Sequence, residues 1–196
     1  MKLIAIAAAS VLLMAGAAQA QSARQVGGTY AEIGYTQLKL SGEGENLKPG
    51  ALRGIFGYEF HPNAAVEGMV AFGIRNEERN ESVDTGVGIA TATAKVKLKN
   101  AYGVYLKPKA NVSDALEVFG RLGYTHMSFK VDASVSIPGV GSESVSDSGS
   151  DGGISYGLGA NYKFSPTTYV GVDYMRYYKK DGVTVDGVTV GVGFRF

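Results

Sequence analysis

The feature that most restricts this chain is an alternation of apolar and polar or small residues with period two, recurring from Tyr30 to Phe196, while helical periodicity is nearly absent after residue 25. It is clearest at the C-terminus, where Val188, Val190, Val192, Phe194 and Phe196 fall on one face and Thr189, Gly191, Gly193 and Arg195 on the other. Side chains of an extended strand alternate between faces, so each segment reads as a strand with one oily side. A sheet built from such strands must cover that side with another protein layer or with lipid.

The same reading gives eight segments. Ala31, Ile33 and Tyr35 oppose Glu32, Gly34 and Thr36; Leu52, Phe56, Tyr58 and Phe60 oppose Arg53, Gly57 and Glu59; Val66, Val70, Phe72 and Ile74 oppose Glu67 and Arg75. Val96, Leu98, Tyr102, Val104 and Leu106 are read on one face against Lys95, Lys97, Lys99, Gly103 and Lys107. Leu116, Val118, Leu122 and Tyr124 oppose Glu117, Arg121 and Gly123; Tyr156, Leu158, Ala160 and Tyr162 oppose Gly157, Gly159, Asn161 and Lys163; Val170, Val172 and Tyr174 oppose Gly171 and Asp173. Short turns at 61–63, 108–114 and 165–167 alternate with long segments at 41–49, 76–93, 129–152 and 179–187. Pro62, Pro108 and Pro166 fall at turns and leave the strands uninterrupted. Ser142 to Gly153, rich in Ser, Gly and Asp, is expected to be a mobile loop, whereas Val131–Ile137 and Thr85–Ala94 are candidates to extend their hairpins.

Short turns at one end, long connections at the other and an even strand number predict an all-β, eight-stranded antiparallel up-and-down barrel in a membrane. The non-apolar faces support lipid over a soluble sandwich or lipocalin-like barrel, because they carry Gly or single charges suited to filling a narrow tube. Eight strands leave a lumen only wide enough for side chains. Glu59, Glu67, Lys107, Glu117, Arg121, Lys163, Asp173 and Arg195 are therefore the candidate members of a charge network plugging it.

At the other end, Lys2, the apolar run Leu3–Met14 and Ala18-Gln19-Ala20 read as a secretory signal peptide over residues 1–20, leaving 21–196 as the barrel domain. The run is shorter than a membrane-spanning helix requires. Without Lys2 the 19 basic residues become 18, matching the 18 acidic ones, so no basic excess points to nucleic acid. With no cysteine in the chain, disulfides, thiolate metal sites and cysteine nucleophiles are excluded. No metal site and no cofactor is expected: Gly157-x-Gly159 and Gly191-x-Gly193 lack the third glycine and following helix of a nucleotide loop.

The opening Gly28-Thr29-Tyr30-Ala31-Glu32-Ile33-Gly34-Tyr35, the hairpin Gly57-Tyr58-Glu59-Phe60-His61-Pro62-Asn63 and the terminal Val188–Phe196 together resemble the small outer-membrane β-barrels. These include the OmpA barrel domain, OmpX-like and opacity-type proteins, broadly called the porin family. The resemblance implies location in the outer membrane of a Gram-negative envelope, contact with outer-membrane lipids and lipopolysaccharide, and surface-exposed loops able to meet host or matrix surfaces. It also implies that Val190, Val192, Phe194 and Phe196 form the signal read by the barrel-assembly machinery.

Two other functions stay open at this point. One is a narrow passive pore. The other is an esterase, since His126 and Ser128 share a strand face and resemble the His-x-Ser pair of the lipid A deacylases, with Glu143 as a candidate third member. Ser128 is followed by Phe129-Lys130, where that family carries asparagine and small residues. The leading expectation is a non-enzymatic barrel serving envelope integrity or surface contact. His61, beside Pro62, reads as a turn residue.

Overall fold

In the computed structural model, residues 27–42, 45–84, 89–137, 141–180 and 182–196 are described, so the expected signal peptide lies outside the described residues. The alternating segments form strands β1 (Thr29–Gly42), β3 (Gly50–His61), β4 (Ala64–Arg75), β6 (Ile89–Asn111), β7 (Leu116–Ile137), β8 (Gly141–Lys163), β9 (Thr168–Lys180) and β10 (Val183–Arg195). Each pairs antiparallel with the next of these strands, and β10 pairs back onto β1 from Tyr30↔Arg195 to Ser41↔Thr184, closing a ring of eight. Closure gives every ring strand a partner on both sides over the barrel wall, the condition for crossing lipid with strands. Two shorter strands sit outside the ring: β2 (Glu45–Leu47) folds onto β1, and β5 (Glu77–Asp84) onto β6.

The oily faces point outward. Phe56, Val70, Val104, Leu122, Leu158 and Val190 are among the exposed large hydrophobics. They form a belt with Tyr58, Phe60, Tyr162, Phe164 and Phe196 at the short-turn end and Tyr35, Phe72, Tyr102, Tyr124, Tyr156 and Tyr174 nearer the other. This is the arrangement of aromatic girdles flanking an apolar band. The inward residues fill the tube, and some leave no room for a Cβ: at Gly123 it would collide with the Val104 carbonyl oxygen.

The register departs from the sequence reading in β6. Leu98 pairs with Phe129 and Asn100 with Ser128, leaving Lys99 as the extra residue of a bulge. A bulge inserts one residue and switches the faces beyond it. Val96 and Leu98 are consequently buried in the lumen, while Lys95 and Lys99 are exposed and Lys97 shares their outward face, the reverse of the single face expected with Tyr102, Val104 and Leu106. A second irregularity leaves Tyr177 unpaired in the β9–β10 ladder, turning its ring inward with Leu38 and Val185.

The stretch Ser142–Gly153 also differs from expectation. It is strand, paired with β7 from Ser136↔Ser142 to Thr125↔Gly153, because backbone bonding to a long partner outweighs a loop-like composition. The outer parts of β6, β7 and β8, with β5 alongside, thus form a four-stranded sheet standing beyond the rest of the wall. The β8–β9 ladder begins only at Tyr156↔Arg176, so the earlier part of β8 is the open edge of this wing.

Candidate functional site in the barrel lumen

Inward positions on six strands converge at the level of Arg121 on β7. Its Nε donates to Glu67 Oε2 at 2.5 Å, one terminal nitrogen to Glu32 Oε2 at 2.7 Å and the other to Asp173 Oδ2 at 2.9 Å. Lys107 stands 3.2 Å from both Glu32 and Glu67. Arg53 forms a two-nitrogen pair with Asp173 and donates to the Tyr177 hydroxyl at 3.0 Å. Tyr30 donates to Glu67 at 2.5 Å and Tyr169 to Glu32 at 2.8 Å, using further carboxylate lone pairs. Three carboxylates therefore face three cations, and the cluster is formally neutral.

A second cluster lies nearer the short turns. Lys109 reaches Glu59 at 2.5 Å and Glu117 at 3.5 Å; Arg195 donates to Glu117 at 2.9 Å, and Asn161 donates to the same residue at 3.0 Å. It too balances, two acids against two cations. Aromatic faces line the cations: Lys107 is 4.3 Å from the Phe119 ring centre, Arg121 4.6 Å from the same ring and Arg195 5.1 Å from Tyr169. Such contacts supply attraction without adding a charge that would need its own partner.

Toward the long-connection end, the charges give way to Leu38, Ile55, Met69, Leu98, Met127, Met175 and Tyr177, a buried apolar layer. The cavity beside Arg53, lined also by Glu32, Asn161, Tyr169 and Asp173, measures ≈ 10 Å³. That is about the minimum for one water molecule. Charges taken out of water cost several kcal/mol each unless paired, so the arrangement is stable only as a set.

Of the residues expected in the network, Glu67, Lys107, Arg121 and Asp173 meet in the first cluster and Glu59, Glu117 and Arg195 in the second. Lys163 is the exception: it sits at the exposed rim and donates to Asn111. Glu32, Arg53 and Lys109 were missed as members. Period-two parity already places Glu32 and Arg53 on inward faces, whereas Lys109 falls in what reads as a turn because β6 runs on to Asn111.

The candidate catalytic residues are not assembled. His126 and Ser128 share the outward face of β7, where the His126 ring packs against Tyr102 with centres 5.0 Å apart. Glu143 pairs with Val135, nine residues further along β7 and on the other face, roughly 30 Å away at the rise of a strand. The expected third member therefore cannot orient that histidine. His61 accepts a bond from the Asn63 backbone at 3.1 Å in the β3–β4 turn. Among the described residues, no three His, Cys, Asp or Glu side chains are grouped to hold a metal ion.

The sequence matches the family model of the outer membrane protein beta-barrel domain over residues 8–196. The chain belongs to that family, and it is an outer-membrane β-barrel protein. No curated protein matches it. Among solved structures it is similar to Ail, the attachment invasion locus protein of Yersinia pestis, solved with the heparin analogue sucrose octasulfate, at 22% identity and a TM-score of 0.56, covering 88% of this chain and 100% of that one. It is also similar to Neisserial surface protein A, at 14% identity and 0.56, covering 86% and 97%. The third is OprG of Pseudomonas aeruginosa, at 13% and 0.50, covering 89% and 99%. At these identities the likeness concerns the fold.

Proposed function

Taking membership of the outer-membrane barrel family as the premise, we propose that this protein is a sealed, non-enzymatic barrel that acts by surface contact through its outer sheet. The observation that carries this reading is the open edge of β8 over Gly141–Gly153 on the four-stranded wing. A strand edge offers unpaired backbone N–H and C=O groups, to which an extended segment of another chain can add. This edge alternates Ser with Glu, Val, Asp and Gly, and its acidic residues keep it soluble until a partner arrives. The fold is shared with Ail, whose structure holds a heparin analogue, and a host or matrix surface is the partner class proposed here.

The lumen supports the non-porin half of the reading: paired charges, then an apolar layer, occupy the path a solute would take. Val190, Val192 and Phe194 on β10, with Phe196 just after it, are the proposed recognition element for barrel assembly. The test is a variant in which residues 132–146 are replaced by a two-residue Asn-Gly turn, which shortens the β7–β8 hairpin by equal lengths of paired strand. It should keep the heat-modifiable gel mobility of a folded barrel while losing attachment of expressing cells to host cells or immobilised matrix. Undiminished attachment would reject the wing as the contact surface.

A further inference from the structure

We infer that the inward face of the wing, with the barrel mouth at its foot, is a docking site for a cationic amphipathic helix. The inference takes the outer-membrane placement as given and does not depend on strand addition at the β8 edge, which uses backbone groups rather than this face.

Period two carries the lumen-facing parity up into the wing without a break. Leu98 and Val96 on β6 lead to Ala94 and Ala92, and Met127 on β7 leads to Phe129, Val131, Ala133 and Val135. On β8 the same side carries Asp151, Gly149, Asp147, Val145 and Glu143. The ladders set these in rows: Val96 with Val131 and Asp147, Ala94 with Ala133 and Val145, Ala92 with Val135 and Glu143. The opposite side of the same sheet holds Thr91, Thr93, Lys95, Lys97, Lys130 and the serines of β8. The wing is thus polarised, basic and hydroxylated outward, apolar and acid-edged inward.

At its foot lies a cavity of ≈ 580 Å³ in the barrel mouth, walled by Leu40, Val96, Phe129, Val131, Tyr178 and Val185. Ligand pockets fall in this size range and occur at the mouths of barrels. Above the cavity the apolar face is open: Val131, Val135 and Val145 are 42%, 47% and 69% exposed, and Ala92, Ala94 and Ala133 are exposed as well.

Dimensions and charge select the occupant. Three strands span about 10 Å, the diameter of one helix with its side chains. From Met127 to Val135 the strip runs about 27 Å, the length of about eighteen helical residues. A helix bonds its own backbone and so can lie face-on against the small alanines. Along β8, Lys180 stands 3.7 Å from Asp151, but Glu143 and Asp147 have no cation within 4.0 Å among the described side chains. An occupant with Lys or Arg beside its apolar stripe complements both acids, whereas a second copy of this chain would set acids against acids.

The test uses the refolded full barrel in phosphatidylcholine nanodiscs and a fluorescein-labelled amphipathic peptide of that length, built from Leu, Ala and Lys. Binding is read by anisotropy, with the signal of empty discs subtracted. The wild type should bind saturably, E143Q/D147N should bind about tenfold more weakly, and Ala133→Lys should abolish binding by setting a charge in the apolar strip. S142K/S144K makes the same change in net charge on the other face of β8 and should match the wild type. Heat-modifiable mobility first confirms that each variant is a folded barrel. Attachment through the β8 edge should survive E143Q/D147N, so the two readings fail separately. Unchanged affinity in E143Q/D147N would overturn the proposal, as would equal weakening in S142K/S144K, the mark of a general charge effect. Equal binding of a peptide with every Lys replaced by Gln would assign the face to an uncharged partner and overturn it too. So would barrels that pair without peptide, seen as dimers in native mass spectrometry that Ala133→Lys disperses.

Discussion

The lumen and the wing are built from the same strands, yet they satisfy polar groups in opposite ways. In the lumen, Arg53 on β3 finds Asp173 on β9, and Arg121 on β7 finds Glu32 on β1 and Glu67 on β4, so each charge is neutralised across the tube. On the wing, Ser142, Ser144 and Ser148 are exposed to solvent, and Ser146 meets the exposed carboxylate of Asp132 on the neighbouring strand. Closure is what separates the two: once strands form a ring, inward side chains are beyond bulk water and must be paired, while an open sheet imposes no such condition. Stability should therefore be concentrated in the first region and recognition in the second.

Two substitutions and one replacement probe that contrast, taken in order of decreasing cost to stability. Arg121→Met leaves Glu32, Glu67 and Asp173 short of a shared cation and should destabilise the barrel by about 3–5 kcal/mol, read as a lower urea midpoint in gel-shift refolding. Glu59→Gln acts on the second cluster, where Lys109 keeps Glu117 at 3.5 Å, and should cost about 1–3 kcal/mol in the same assay. Replacing 132–146 with a two-residue turn should change the stability read from that midpoint by less than ~1 kcal/mol, because the paired residues removed are exposed wing and include no member of either lumen cluster. A wing replacement as costly as Arg121→Met would erase the distinction.

Much of the barrel is legible in the sequence because alternation needs no knowledge of partners. Val188 to Phe196 announces its two faces unaided, and inward parity alone identifies Glu67, Arg121 and Asp173. What is not legible depends on local backbone events or on closure. The bulge at Lys99 carries no residue signature, so Val96 and Leu98 appear to share a face with Tyr102 although the structure buries them inward. Arg53 and Asp173 are separated by 120 residues, and only the ring brings them together. Ser142–Gly153 reads as loop by composition, because its strand character comes from the β7 backbone beside it. Conversely, His126 and Ser128 share a face as their spacing requires, but Glu143 follows its own pairing with Val135 and departs from them.

Single-channel recording in planar bilayers reads the state of the lumen, because one filled by two neutral charge clusters and an apolar layer should pass no steady current. The refolded protein is predicted to insert without conductance steps above the bare-bilayer background, with brief openings appearing only in Arg121→Met. Stable steps of uniform size in the unaltered protein would contradict the sealed barrel.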